Sequence, residues 1–178
     1  MMAEEKELET LAELISYPGG DAYTKVIESV KGLEKDFSEV DAEICDFSKS
    51  LQQKTKGELE ELYTRTFDIH GLCCLDIGYV MFGEDYKRGA FLVNVTRMLR
   101  EFGIDPGSEL ADHLPNVMKL ISVMPDGRER VELIEKIMIP ALDKMLEKFH
   151  PEGQNPYRYP LGITKRLLEN MVAKRHIQ

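Results

Sequence analysis

The sequence lacks an apolar run long enough to cross a membrane, and its first residues do not have the pattern expected of a secretory leader. Its longest apolar stretch covers residues 137–142, whereas a membrane-spanning helix needs about 20 residues. Residues 1–7 have neither a basic start nor an apolar stretch, although a signal peptide requires both. We therefore expect a cytoplasmic protein with no stable membrane association.

Cysteine is scarce, and the signature motifs of common enzyme classes are missing. The three cysteines are Cys45, Cys73 and Cys74, an odd number without C-x-x-C spacing, which suits reduced thiols better than a disulfide framework. The chain contains no G-x-S-x-G elbow, Walker loop, G-x-G-x-x-G fingerprint or H-E-x-x-H helix. These absences predict a protein without catalytic activity and without a bound cofactor.

Basic residues are too few for a general nucleic-acid-binding protein. The chain has 23 basic and 32 acidic residues and a net charge of −9, the wrong sign for a phosphate backbone. The excess of acidic over basic residues lies in residues 1–62, which hold 16 acids and 7 bases. Residues 63–178 hold 16 of each. This acidic third is interpreted either as a solvated helical surface or as a face that attracts a cationic peptide.

The sequence has no alternation of apolar and polar residues that is long enough to predict a half-buried strand. Apolar residues recur at helical spacing nearly everywhere instead. The length of 178 residues fits one domain. We therefore predict a single all-α domain over residues 1–178, a bundle of about eight or nine helices. Within it, residues 150–160 are predicted to form a loop and residues 161–178 a terminal helix or tail.

Four short helices are predicted within residues 4–67. The first is expected to end near Tyr17, because Pro-Gly-Gly follows it. The N-cap candidates of the other three are Asp21, Ser38 and Thr55. Thr55 is followed three residues later by Glu58, which is the pattern of a capping box.

Further stop and cap residues divide the remaining chain. A short apolar helix is expected to end at Gly83, and Asp85 is expected to begin a long helix that ends at Gly103. Asp112 is predicted to cap the helix that follows it. Residues 128–149 read as one more long helix, which Pro140 should kink or divide.

The first cluster of potential ligands consists of His70, Cys73, Cys74 and Asp76. These side chains are types that bind zinc, but adjacent cysteines do not easily face one tetrahedral centre, and no second Cys/His pair is present. The alternative interpretation is a buried helix start, in which free cysteine acts as a small apolar residue. A small metal-binding or redox protein therefore stays open as an alternative function.

The second cluster consists of Glu109, Asp112 and His113. Two acids beside a histidine suit acid–base chemistry, and they also suit pairing with guanidinium groups of a bound peptide. Helix capping accounts for Asp112 but for neither Glu109 nor His113. The methionines, Met118 among them, are interpreted mainly as core residues, although Met-rich grooves bind amphipathic helices.

Three segments resemble the NarJ-type chaperones, also called nitrate reductase delta subunits, which are grouped with TorD and DmsD as redox-enzyme maturation proteins. The first segment covers residues 67–92 and includes Gly-Tyr and Phe-Gly-Glu-Asp followed by Lys-Arg-Gly. The second covers residues 103–120, and the third is Asn-Pro-Tyr at residues 155–157. The resemblance follows the order and spacing of the family over about residues 8–160.

The resemblance implies an all-helical cytoplasmic chaperone that is not an enzyme and that assists nitrate reductase or another molybdoenzyme. Its implied partner is the catalytic subunit of a molybdopterin oxidoreductase, bound at an N-terminal twin-arginine leader or its remnant until the cofactor is inserted. Glu109, Asp112 and His113 match the family's Glu-x-x-Asp-His peptide-binding motif. Tyr79, Phe82 and Asp85 lie on the other signature, which lines the same groove in relatives.

Some residues depart from the family pattern. Cys74 and Asp76 stand where relatives commonly have Ser and Tyr, and Ala111 stands where Pro is common. Asp76 adds an acid beside the expected groove and suits a more basic ligand.

The residues and the resemblance together predict a helical groove that contains Leu75, Tyr79, Phe82 and Met118. The arginines of the ligand are expected to meet Glu109 and Asp112. We expect the double substitution of those two acids by alanine to abolish peptide binding while the fold survives. A structural subunit of a larger redox complex is a third possibility, and the chain is expected to be a monomer or a domain-swapped dimer.

Overall fold

The computed structural model describes residues 3–19, 47, 49–51, 53–68, 71–150 and 155–176, and this part of the chain is all-α, as predicted. It contains eight α-helices and one π-helical turn, and no strand. The helices are α1 (Ala3–Ile15), α2 (Lys56–Phe67), α3 (Ile77–Phe82), α4 (Tyr86–Glu101), α5 (Leu114–Val123), α6 (Arg128–Leu133), α7 (Ile139–Leu146) and α8 (Arg158–His176). None of these described helices is long and apolar enough to span a bilayer.

The hydrophobic core lies between α1, α5, α7 and α8. Helix α1 packs against α5 and α8, and α8 packs against α7. Helix α5 is buried on nearly every side, because eight of its ten residues are buried. Arg130 of α6 is 4% exposed and bonds to Glu5 of α1 at 3.3 Å, which joins α6 to α1. Helix α3 lies at the edge, between α4 and α7.

The local cap and stop residues act as the sequence predicts. Thr55 and Glu58 form a capping box at the start of α2. Asp85 caps α4 by accepting a hydrogen bond from Lys87 N–H at 2.9 Å. Gly83 and Gly103, which follow α3 and α4, have φ values of 62° and 68°, a region that favours glycine over residues with a Cβ.

The proline-containing helix is divided, as expected. A π-helical turn, Ile134–Met138, joins α6 to α7, and the N–H of Ile139 bonds to the carbonyl of Ile134 five residues earlier. Because Pro140 has no N–H, it cannot continue the regular ladder, and it lies in the first turn of α7 where none is needed.

Two predicted boundaries are wrong. Helix α5 has His113, not Asp112, as its N-cap residue. Helix α8 begins at Arg158, inside the predicted loop, because Pro160 falls in a first turn whose amides have no helical partner.

The predicted helices that would begin at Asp21 and Ser38 lie almost entirely outside the described residues. The exceptions are Phe47 and residues 49–51, which are helical. Cys45 and His70 also lie outside the described residues.

Candidate functional site

The two main sequence signatures are joined by a short antiparallel contact. Residues 75–77, just before and at the start of α3, lie against residues 112–114, just before and at the start of α5. Two hydrogen bonds of 2.9 Å hold the contact, from Ile77 N–H to the Asp112 carbonyl and from Leu114 N–H to the Leu75 carbonyl. The starts of both helices are therefore fixed against each other.

The Asp112 carboxylate is buried and caps helix α3 rather than its own helix. Its Oδ2 accepts a hydrogen bond of 2.9 Å from the N–H of Gly78, in the first turn of α3. Asp76, the N-cap residue of α3, makes no cap hydrogen bond with its own side chain. A helix of six residues is unstable alone, so Asp112 supplies an anchor that α3 lacks locally.

Burial sets the ionisation of Asp112. Loss of hydration raises the pKa of its carboxyl group above the ordinary value, and the nearby Asp76 raises it further, while the Gly78 hydrogen bond and Arg88 oppose the change. Its Oδ1 has no hydrogen-bond partner among the described residues.

Three of the predicted peptide-binding residues, two from the groove and one acid beside it, therefore belong to the interior. Asp112 and Met118 are completely buried, and Leu75 is 1% exposed. They do not line an open groove in this structure, and the helix pattern alone could not separate a groove from the core. The predicted double alanine variant is also not a clean binding test, because one of its two acids is a structural anchor.

Asp76 is the centre of a half-buried charged cluster. One of its carboxylate oxygens lies 3.2 Å from Nδ1 of His113, and the other lies 3.5 Å from Nη2 of Arg88. The same Nδ1 lies 4.0 Å from the carboxylate of Glu109, whose side chain is 53% exposed. Asp76, Glu109 and His113 are therefore brought together as predicted, and Arg88 is a member that sequence reasoning missed.

A further acid, Asp68, belongs to the same side of the molecule. Burial raises the pKa of Tyr63, and the nearby Tyr157, Glu109, Asp68 and Asp76 raise it further. Asp68 is exposed and directly follows α2. Carboxylates from three separate segments thus lie near enough to one buried tyrosine to raise its pKa.

An open cleft of about 650 Å³ adjoins this cluster. Buried Cys73 and Met145 lie on it together with the more exposed Leu72 and Tyr79. The charged residues that line the cleft are exposed and lie at or beyond the end of α7. They are Lys144, Glu147 and Lys148. The cleft is therefore apolar with a lysine-bearing side, whereas the prediction had acids alone beside the groove.

Tyr79 connects the cleft to the charged cluster. It is 44% exposed and lines the cleft, and the guanidinium carbon of Arg88 lies 5.3 Å from the centre of its ring. That distance is within the range of a cation–π contact. Among the four predicted groove residues, Tyr79 is the one that lines this cleft.

Phe82 and Asp85 have local structural contacts. Phe82 packs edge-on against Phe91 of α4, with ring centroids 5.8 Å apart. The Asp85 carboxylate is engaged in the cap of α4. The ring contact orients α4 against α3, and the Asp85 cap fixes where α4 begins, so both residues support the candidate site through α4.

Cys73 and Cys74, the two cysteines of the first cluster, are free thiols that are largely shielded from water. Burial raises the pKa of Cys73 to about 12, and burial also raises the pKa of Cys74, so both thiols are protonated near neutral pH in the free protein. No group of three His, Cys, Asp or Glu side chains placed to hold a metal occurs in the part of the chain that the structure describes.

The third signature has a structural explanation. Asn155 donates from Nδ2 to Thr66 Oγ1 at 2.8 Å and accepts from Tyr157 N–H at 3.1 Å. Tyr157 packs against the rings of Tyr63 and Phe67. These contacts fix the start of α8 against α2.

Comparisons with known proteins bear on the fold. No protein-family model matches the sequence, and no curated protein matches it. The structure is similar to the crystal structure of a proposed redox enzyme maturation protein from Archaeoglobus fulgidus, with a TM-score of 0.61 and 18% sequence identity over 95% of each chain. At this identity, the likeness shows a shared all-α fold.

Proposed function

We propose that this chain is a chaperone without catalytic activity for a molybdopterin-dependent oxidoreductase. It binds a cationic and amphipathic N-terminal segment of the catalytic subunit, a twin-arginine leader or its remnant, until the cofactor is inserted. The likeness to a proposed redox enzyme maturation protein and the resemblance of the three sequence segments support this proposal.

The observation that carries the proposal is the junction at Tyr79. On one side, Asp76 and Glu109 provide carboxylates that are partly exposed. On the other side, an apolar cleft opens. An amphipathic segment with basic residues at one end matches this division, because its apolar side chains would leave water in the cleft while its cations meet the acids.

The lysines of the cleft set the direction of the bound segment. Lys144 and Lys148 outnumber Glu147 in the lining of the cleft and would repel a cationic end, so the basic end lies towards Asp76 and Glu109 and the apolar part runs into the cleft. Asp112 contributes indirectly, since it anchors the helix that carries Tyr79.

Calorimetry with a synthetic peptide tests binding. The probe carries two adjacent arginines followed by an apolar stretch, and the control peptide has glutamines in place of the arginines. Because the Glu109 side chain is 53% exposed, its replacement by Gln should weaken binding of the arginine peptide by about two- to fivefold. Glu61→Gln removes an exposed acid on α2 that pairs with Arg65, and it should leave the affinity unchanged. Equal binding of both peptides would contradict a role for the acids.

Isolation of the protein from its native cells tests the class of partner. The account predicts that a molybdopterin oxidoreductase catalytic subunit without its cofactor co-purifies, and that the chain is absent from the mature enzyme. Constant stoichiometry with the mature, membrane-solubilised enzyme would instead support a structural subunit.

A further inference from the structure

Arg88 occupies the position that a ligand arginine would take. It extends from the first turn of α4, and its Nη2 lies 3.5 Å from Asp76 Oδ2. Its guanidinium carbon lies 5.3 Å from the centre of the Tyr79 ring. A carboxylate and an aromatic face are both partners that suit a guanidinium group.

The contacts of Arg88 are incomplete. A strong arginine–carboxylate pair is bidentate with N–O distances of about 2.7–2.9 Å, whereas Arg88 makes one longer contact with Asp76. Its Nε is buried without a hydrogen-bond partner among the described residues, as is Asp112 Oδ1. Asp76 also divides its charge between Arg88 and His113. The pair therefore has unused hydrogen-bonding capacity that a better-placed guanidinium could satisfy.

We propose that Asp76 and Tyr79 form an arginine-binding site that the chain's own Arg88 occupies in the free protein, and that an arginine of the bound segment takes this place by exchange. The proposal rests on the proposed function and names the residue that competes with the ligand. An exposed acid, Glu84, lies four residues before Arg88 and just outside α4. Its carboxylate offers the displaced guanidinium a new partner at the surface.

Under exchange, the apparent affinity equals the intrinsic affinity multiplied by the fraction of molecules in which Arg88 has left the site. An ion pair and a cation–π contact of half-buried side chains together correspond to about a five- to thirty-fold effect on binding. Removing Arg88 should therefore tighten binding of the two-arginine peptide by about that factor. The glutamine control peptide should gain nothing.

The experiment compares Arg88→Gln with Lys87→Gln. Both variants lose one positive charge in the same turn of α4, but the exposed Lys87 side chain has no contact with Asp76. Arg88→Met serves as a second variant, because it keeps an aliphatic side chain near Gly78, which Arg88 Cγ closely approaches. Circular dichroism melting establishes that each variant is folded before titration.

The expected result is tighter binding by Arg88→Gln and Arg88→Met and unchanged binding by Lys87→Gln. Adding Asp76→Asn to Arg88→Gln should abolish the gain, because the vacated carboxylate is then missing. If the wild type binds the peptide and the Arg88 variants bind equally or more weakly, exchange is overturned while the proposed function stands. If neither the wild type nor the variants bind it, both are overturned.

Discussion

Replacing Asp112 by alanine removes the anchor between the two helices that carry the candidate site. The substitution leaves the Gly78 N–H without its 2.9 Å acceptor, and a buried unpaired donor costs about 1–3 kcal/mol. Part of this cost is offset, because the carboxylate is itself destabilised by burial. We expect the free energy of unfolding to fall by about 1–2 kcal/mol, and the melting temperature of a chain of this size to fall by about 3–6 °C.

The variant Asp112→Asn separates the hydrogen bond from the charge. Its side-chain carbonyl can still accept from Gly78 N–H, so the loss of stability should be smaller than in the alanine variant. Burial raises the pKa of Asp112 above 3.8, so the folded state holds this proton more tightly than the unfolded state does. The contribution of Asp112 to stability therefore falls as pH rises from about 3.8 through the raised pKa, and is constant above it.

Urea unfolding monitored by circular dichroism measures both effects. The difference in stability between the wild type and Asp112→Asn should change over that acidic window and be constant at higher pH. Glu109→Ala is the matched control, since its carboxylate is 53% exposed and its loss should alter stability by less than about 0.5 kcal/mol. Equal stabilities of Asp112→Ala and Glu109→Ala would refute the assignment of Asp112 as an anchor.

Three further comparisons test the packing around the site and the core, each by denaturant unfolding. Gly78→Ala should destabilise by about 1–3 kcal/mol, because its Cβ would lie 2.5 Å from a buried carboxylate oxygen, whereas Gly89→Ala, in open space on α4, should stabilise by about 0.5–1 kcal/mol. Asn155→Ala should cost about 1–2 kcal/mol, since it removes the two hydrogen bonds that fix the start of α8. Arg130→Ala should cost about 3 kcal/mol because it breaks a buried ion pair, while Arg128→Ala, which breaks a surface pair whose arginine side chain is 90% exposed, should cost less than about 0.5 kcal/mol.

The helix signals that sequence reasoning interpreted correctly are local. The capping box of Thr55 and Glu58, the Asp85 cap and the stops at Gly83 and Gly103 each involve residues within a few positions of one another. Their geometry follows from the backbone groups that every helix end leaves unpaired. Such signals therefore predict boundaries without knowledge of the tertiary structure.

The interpretation of Asp112 failed because its partner is 34 residues away. Its position before a helical segment is the same for a local cap and for an anchor of another helix. The bond between Asn155 and Thr66 spans 89 residues and is equally invisible in a linear pattern. In both cases, the packing of distant elements decides which donor the side chain meets.

The groove was only partly predictable for a related reason. Helical spacing places Leu75, Met118 and Tyr79 alike on apolar faces, but it does not say which face another helix covers. The core covers the first two, and Tyr79 is exposed at the edge helix α3. The lysines of the cleft come from a segment more than 60 residues later, and sequence spacing does not connect them with Tyr79.

The most direct test of the account is a map of amide chemical shifts for the isotopically labelled protein titrated with the two-arginine peptide. The account predicts that the largest changes occur at Tyr79, Glu109 and Leu72, and that Lys174, at the far end of α8, changes little. Changes centred on α8, or changes of the same size with the glutamine peptide, would contradict the claim that a cationic and apolar segment binds at the junction of the acids and the cleft.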